Sequence, residues 1–155
     1  MTFATADVYD ELGDALDSVA LPFRDLGGRR AFQGLVRTVR CHRDNALVKQ
    51  LLATPGDGAV LVVDGGGSLQ SALVGDMIAA SAVENGWAGL IVHGAIRDLD
   101  VVATLDIGVK ALGGNPRKSA KDGVGEVDVP VVIDGVTFTP GKRVWADADG
   151  ILVER

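Results

Sequence analysis

Residues 73–98 read LVGDMIAASAVENGWAGLIVHGAIRD. Ser71–Val74 has the apolar character of a short strand, and Gly75-Asp76 opens a helix from Met77 to Glu84 that Asn85-Gly86 stops. Gly89–His93 (GLIVH) is a continuous apolar run ended by Gly94, as expected of a strand buried on both faces, and a helical stretch follows from about Arg97 to Leu105. This succession predicts a parallel βαβ unit, which sets both strand C-termini on one edge of the sheet. Ligands bind at that edge in α/β folds. Asp76, Arg97 and Asp98 are therefore expected to converge, although twenty residues separate the first from the pair.

The flanks extend the pattern. Upstream, Ala59–Val63 (AVLVV) is a second buried strand and Phe32–Cys41 a third, alternating around Leu35, Val36 and Val39. Asp44 caps a helix carrying Leu47, Val48, Leu51 and Leu52, closed by Pro55-Gly56. Thr5 is placed to cap a first helix through Leu16, with Val8, Leu12 and Leu16 on one face. Downstream, Ile107–Leu112 is a strand and Gly113–Gly125 a loop rich in Gly, Lys and Arg. The last thirty residues switch to strands at Val131–Ile133, Val136–Phe138, Val144–Ala146 and Ile151–Val153, punctuated by Asp134-Gly135, Pro140-Gly141 and Asp149-Gly150. With no linker or repeat, residues 1–155 are expected to form one α/β domain that ends in a β-meander.

Composition narrows the function classes. A formal net charge of -6 repels phosphate backbones, which disfavours direct nucleic-acid binding. Aromatic residues are few (5%) while hydrophobic residues reach 47%, so the core rests on Val, Ile, Leu and Ala. A single cysteine, Cys41, rules out an internal disulfide and suits a reducing compartment. The N-terminus lacks a basic region followed by an apolar run, and no apolar stretch approaches the ~20 residues of a membrane helix. A cytoplasmic protein with no membrane partner is the expectation.

The expected convergence has a chemistry. A helix opening at Asp76 presents backbone N–H groups from Asp76 through Ala79 to a carboxylate. Arg97 adds a planar fork for the same kind of group. Asp98 adds a hard anionic oxygen suited to Mg²⁺ or Mn²⁺, and one protein carboxylate suffices because Mg²⁺ retains waters and takes substrate oxygens. A carboxylate clamp beside a divalent cation suits a 2-oxo acid, whose carboxylate and keto oxygens chelate the metal. Breaking the C3–C4 bond then leaves an enolate, which the metal and Arg97 stabilise, while Asp76 is placed to hold a metal-bound water that handles the proton. The same residues have a plainer reading, in which Arg97-Asp98 is an N-cap with a solvated charge and Gly75-Asp76 only a turn.

Other polar positions read mainly as structural. His93, at a strand end four residues before Arg97, reads as structural, with lining of the pocket as the alternative, and the Cys41-His42 pair lacks companions for a zinc site. Asp64–Ser68 has neither the Lys-Ser/Thr of a Walker loop nor dinucleotide-fingerprint spacing, so a turn is expected. Arg117, Lys118 and Lys121 are open to several readings: attraction of the distal carboxylate of a diacid, a solvated loop or a subunit contact. Trp87 and Trp145 read as packing or interface residues.

The stretch from Leu73 to Asp98, with VLVVDGGGS before it and DIGVKALGGNPRKS and GVTFTPG after it, resembles the class II 4-hydroxy-4-methyl-2-oxoglutarate aldolase family, which also contains the regulators of ribonuclease activity A. The resemblance covers about Phe32 to Val153. It implies a swivelling-type αββαβ sandwich assembled as a homotrimer with sites between subunits. It also implies a metal-dependent lyase that splits 4-hydroxy-4-methyl-2-oxoglutarate into two pyruvates and decarboxylates oxaloacetate through the same pyruvate enolate. By this resemblance Gly75, Asp76, Met77 and Ile78 bind substrate through the backbone, Arg97 binds the substrate carboxylate, and Asp98 holds Mg²⁺ (or Mn²⁺ or Co²⁺). Asp76 holds the water and is catalytic together with Arg97. Members without these residues resemble non-catalytic regulators that bind and inhibit ribonuclease E, the alternative function; this chain keeps all three. Longer aldolases of the family carry a C-terminal extension with an acidic residue for the neighbouring site, whereas here the last acidic residue is Glu154.

Overall fold

The computed structural model describes residues 2–155. Helix α1 (Thr5–Leu12) passes through one 3₁₀ turn into β1 (Leu16–Ser18) and β2 (Arg24–Asp25). Then follow β3 (Phe32–Arg40), α2 (Ala46–Leu52), β4 (Val60–Asp64), β5 (Ala72–Val74), α3 (Asp76–Glu84), β6 (Gly89–Ile96), α4 (Leu99–Val102) and β7 (Gly108–Gly114). The chain finishes with β8 (Glu126–Val127), β9 (Val131–Ile133), β10 (Val136–Phe138), β11 (Arg143–Asp147) and β12 (Gly150–Glu154).

The centre is a parallel sheet in the order β3-β4-β6-β7, as the apolar runs predict. Alternate residues of each strand face opposite layers, and both faces are covered. Leu61, Val63, Leu90 and Val92 pack with Val48 and Leu52 of α2, Ile78, Ala79 and Ala82 of α3 and Val102 of α4. Val60, Val62 and Ile91 face the other way, against Phe32, Val131, Ile133, Phe138 and Val144. No helix is long and apolar enough to cross a membrane among the described residues.

One edge of β6 hosts two strands in succession. β4 pairs with Gly89–His93 and ends at Asp64, and β5 then takes over, pairing Ala72 with Ala95 and Val74 with Ile96. The glycine-rich connection between them is a turn, as expected. The Gly65 and Gly67 amides both donate to the His93 carbonyl (3.1 Å each), and the Gly66 amide donates to the Asp64 carboxylate (3.0 Å).

β3 is the other junction. Its first half pairs antiparallel with β11, and its second half pairs parallel with β4. The Phe32 ring lies flat on the first residues of β6 and β7, so closely that a Cβ on Gly89 or Gly108 would strike it. The sheet also rolls. Buried Lys110 of β7 pairs with Asp25 (2.8 Å) and donates to the carbonyl of Asp147 in β11, four strands away in the order. The Asp147 carboxylate in turn accepts the Thr5 amide (2.8 Å) and hydroxyl (2.7 Å).

Three local expectations are corrected. The first helix stops at Leu12, because Gly13 adopts φ 49° and Leu16 leaves to pair with Glu154 and pack on Trp145 and Leu152. Thr5 lies inside that helix and its hydroxyl serves Asp147, while Ala4 holds the N-cap position. The C-terminal strands form no single meander. Asp134-Gly135 turns β9 into β10 with the paired positive φ values of a type I′ hairpin, but that hairpin is a separate two-stranded sheet. Pro140-Gly141 is no hairpin turn; it carries the chain to β11, which pairs with β3 and β12 in the main sheet.

Trp87 and Trp145 are packing residues. Trp87 is buried over Gly56 and donates to the Thr54 carbonyl (3.0 Å), with the Arg37 guanidinium 5.9 Å from its ring centre. Cys41 is buried, and desolvation first, then the nearby Asp44 and Asp64 charges, push its thiol up to about 12, so it stays an unreactive thiol.

Two outcomes follow from this packing. Gly108→Ala forces its methyl into the Phe32 ring and is expected to cost about 1–3 kcal/mol in urea unfolding, the usual penalty of an overfilled core. Acid should also loosen the fold. The two-pronged bond to Arg37 holds Asp128 below the ordinary carboxylate range; burial works against Asp44 and Asp147, but their N–H donors hold them below it too. Depressed carboxylates add stability that is full above about pH 4 and lost as pH falls through their folded-state values. Thermal melting between pH 7 and 2 should show that fall, and Asp147→Asn should flatten part of it.

Candidate active site

The β5–β6 pairing does what the sequence predicts. Arg97 continues the ladder by donating its amide to the Val74 carbonyl (2.9 Å), so Gly75-Asp76 and Arg97-Asp98 emerge side by side. The Asp98 carboxylate accepts the Asp76 amide (3.1 Å) and lies 4.0 Å from Arg97 Nε. Arg97 Nη1 donates to the Pro116 carbonyl (3.3 Å) in the loop after β7. A Cβ at position 75 would lie 2.9 Å from Asp98 Oδ2 and 3.4 Å from Arg97 Nε, so the approach of the pair needs glycine there.

Two details differ from expectation. Arg97 and Asp98 stand in a loop, not in a helix, because β6 runs on to Ile96 and α4 has only four residues. Asp98 takes a left-handed conformation (φ 58°, ψ 43°), which costs a non-glycine residue about 1–2 kcal/mol and turns its carboxylate back over the α3 N-terminus. Of the four amides read as free, three are engaged. Asp76 donates to Asp98, Met77 to the Asp76 carboxylate (2.8 Å), and Ala79 to the Gly75 carbonyl (3.0 Å). The first two acceptors are side chains with exposed surface, which an incoming carboxylate can displace.

These residues line a cavity of about 440 Å³. Gly75, Asp76, Met77, Ile78, Arg97 and Asp98 all line it, and Asn45, Lys49, Lys118 and Lys121 are among the other polar residues of the wall. Met77 is 82% exposed, unusual for a large apolar side chain. Lys118 and Lys121 were open to several readings from the sequence, and both line the cavity, whereas Arg117 does not. Asn45 and Lys49 escaped the sequence reading. Their one signal was a lysine and an asparagine four residues apart, on and just before a helix whose other face is apolar. The ion pairs of the described residues engage none of Lys49, Lys118 and Lys121, so the cavity holds three ammonium groups without a carboxylate partner. His93 does not line it. Its Nδ1 is buried without a hydrogen-bond partner, 3.5 Å from Asp64 Oδ1.

The donor set restricts what cation fits. No group of three or more His, Cys, Asp or Glu side chains converges among the described residues, so a closed protein cage is not built. Asp98, with 39% of its side chain exposed, offers one hard oxygen donor beside Asp76, which matches Mg²⁺ or Mn²⁺ held largely by water and substrate.

Comparison with known proteins gives consistent relatives. The family description "RraA-like: Aldolase/RraA" matches residues 5–153. A Geobacillus kaustophilus structure described as an S-adenosylmethionine:2-dimethylmenaquinone methyltransferase is 47% identical with TM-score 0.96, over 98% of this chain and 94% of that one. The RNA-processing inhibitor RraA of Thermus thermophilis is also 47% identical with TM-score 0.96, over 99% of this chain and 93% of its own. The Streptomyces coelicolor protein RraAS2, described as an unusual member of the RNase ES inhibitor RraA family, is 30% identical with TM-score 0.75, over 96% of this chain and 76% of its own.

The crowding at position 75 is directly testable. Gly75→Ala pushes the flexible ends of Arg97 and Asp98, so the melting temperature should change little. Turnover of a 2-oxo acid should fall about 100-fold, the scale of a 1 Å misplacement of reacting groups.

Proposed function

Since this chain belongs to the RraA-like aldolase/RraA family, we propose that it is a divalent-metal-dependent lyase acting on 2-oxo diacids. The reactions are retro-aldol cleavage of 4-hydroxy-4-methyl-2-oxoglutarate to two pyruvates and decarboxylation of oxaloacetate. The observation that carries the reading is the meeting of Asp76, Arg97 and Asp98 in the wall of a cavity that three unpaired lysines also line.

Asp98, beside Asp76, is the residue that would hold Mg²⁺, Mn²⁺ or Co²⁺, which supplies Lewis acidity toward the carboxylate and keto oxygens of a 2-oxo acid. Arg97 grips the C1 carboxylate and faces the negative charge that grows on the enolate. The amides at the start of α3 share that carboxylate once their side-chain acceptors move aside. Lys118, Lys121 and Lys49 attract the far carboxylate, which fixes the scissile C3–C4 bond between the two ends.

In retro-aldol cleavage the C4 hydroxyl loses its proton as C3–C4 breaks; its electron pair becomes the enolate of one pyruvate, and C4 becomes the keto carbon of the other. In decarboxylation the same bond breaks to release CO₂. Both end with protonation at C3, and the Asp76 carboxylate is the nearest group to hold a water for that transfer. A homotrimer, as the family resemblance implies, would bring a neighbour's side chains to the open flank of Arg97 and Asp98, where a second cleft of about 410 Å³ is also lined by Arg24, Leu99, Asn115 and Pro116.

A second reading has its own support. The 47% identical Thermus protein is described as an RNA-processing inhibitor, and a ribonuclease E-type partner is proposed for this chain on that likeness. A pyruvate-release assay with oxaloacetate and 4-hydroxy-4-methyl-2-oxoglutarate separates the two. We expect Mg²⁺- or Mn²⁺-dependent turnover that Arg97→Ala and Asp98→Ala each lower by about 100- to 1,000-fold. No pyruvate with either substrate and any of the three metals would sink the lyase reading. Ribonuclease inhibition that survives Arg97→Ala would establish the regulator.

A further inference from the structure

Asp44 is an almost completely buried carboxylate with four backbone donors. Its Oδ1 accepts the amides of Ala46 (3.1 Å) and Gly123 (3.2 Å); its Oδ2 accepts those of Asp122 (2.9 Å) and Val124 (3.3 Å). Capping α2 requires only the first. The other three come from a loop distant in sequence, and they wrap this carboxylate as successive amides wrap a bound anion. Burial penalises the charge, yet the four amides hold the carboxyl below its ordinary range.

Neighbouring bonds extend the tie. Asn45 donates its amide to the Ala120 carbonyl (3.0 Å), and Ala120 donates to the Arg43 carbonyl (2.8 Å). The Asn45 side chain donates to the Leu73 carbonyl (3.1 Å), one strand-end from Gly75, and accepts from Lys121 Nζ (3.3 Å). The tied segment is the one that carries Lys118 and Lys121 into the cavity. Lysine stems are flexible and their ammonium groups strongly hydrated. Lys49, Lys118 and Lys121 are all exposed and no ion pair of the described residues engages any of them, so no opposite charge fixes where their ammonium groups point. A loop that keeps them in place needs an anchor elsewhere.

We infer that Asp44 is a positioning residue for substrate selection: by holding the 118–124 loop it keeps Lys118 and Lys121 in the wall of the cavity that Arg97 and Asp98 also line, and so sets a preference for 2-oxo acids with a second carboxylate. This rests on the lyase reading above. Asp44 touches no substrate, so the reaction at the Arg97 end stays intact without it.

The test pairs two reactions in the full-length protein. Oxaloacetate decarboxylation needs both ends of the cavity, whereas exchange of pyruvate methyl protons in D₂O, followed by NMR, needs only the Arg97 end. Asp44→Asn puts an amide donor against donors. We expect faster hydrogen exchange at Asp122, Gly123 and Val124, and a KM for oxaloacetate raised about tenfold. The kcat and the pyruvate exchange rate should stay within twofold. An unchanged KM despite a loosened loop overturns the inference, and so does an equal fall of both reactions. If Asp44→Asn does not fold, Asp122→Pro decides, since it removes one loop amide from the Asp44 carboxylate and leaves Asp44 itself in place: a raised KM for oxaloacetate with pyruvate exchange unchanged upholds the inference and an unchanged KM overturns it. Absence of both reactions in the unaltered protein marks failure of the lyase reading itself, and the inference falls with it.

Discussion

The amide of Arg97 donates to the carbonyl of Val74, and the geometry of the cavity hangs on that bond. It is the last rung of a parallel ladder in which β5 occupies the edge of β6 that β4 has vacated. Parallel pairing makes both strands end at the same level. The chain leaves β5 through Gly75 into α3, and leaves β6 through Arg97 into the left-handed turn at Asp98. A one-residue slip of β5 would place Leu73, not Val74, beside Ile96 and carry the α3 amides away from the Asp98 carboxylate. The glycine turn at Gly65–Gly67 matters for the same reason. By tying its amides to the β6 backbone it frees the edge at the right place for β5 to enter.

Charge is distributed against the overall balance. The chain carries a formal -6, yet the cavity beside α3 gathers an arginine and three lysines with two aspartates. An acidic protein with a cationic pocket repels polyanions at long range and selects small anions at short range, where partial desolvation strengthens each contact. That combination suits a dianionic metabolite and disfavours a nucleic-acid backbone.

The sequence was most legible where one short stretch carried its own geometry. Leu73–Asp98 encodes two buried strands and the helix between them, and the convergence of Asp76, Arg97 and Asp98 follows from the parallel crossover alone. Their catalytic roles rest on chemistry and family likeness instead. Where reading failed, a distant partner had decided. Leu16 fits the helical stripe of Val8 and Leu12, but pairing with Glu154 and burial against Trp145 take it into a strand. Arg97–Leu105 is helical only at Leu99–Val102, because the left-handed turn at Asp98 delays its start. The hairpin signal at Asp134-Gly135 gave a real turn but not its place in the fold, because a turn fixes only its own two strands. Asp44 was legible as marking the start of α2, where Asn45 takes the N-cap position; its three other donors lie in a loop that sequence spacing does not connect to it.

The rolled sheet ties early residues to late ones. Thr5 is held by Asp147, β1 pairs with β12, and Lys110 reaches the same Asp147. On the ribosome, Thr5 and β1 therefore wait for these partners until β11 and β12 have been made. The parallel strands β3 to β7 can assemble earlier, with their Phe32 face still uncovered until β9 to β12 arrive. Between the making of β7 and that of β9 to β12, a nascent chain carries an apolar sheet face uncovered, a stage at which chaperone binding or aggregation competes with folding.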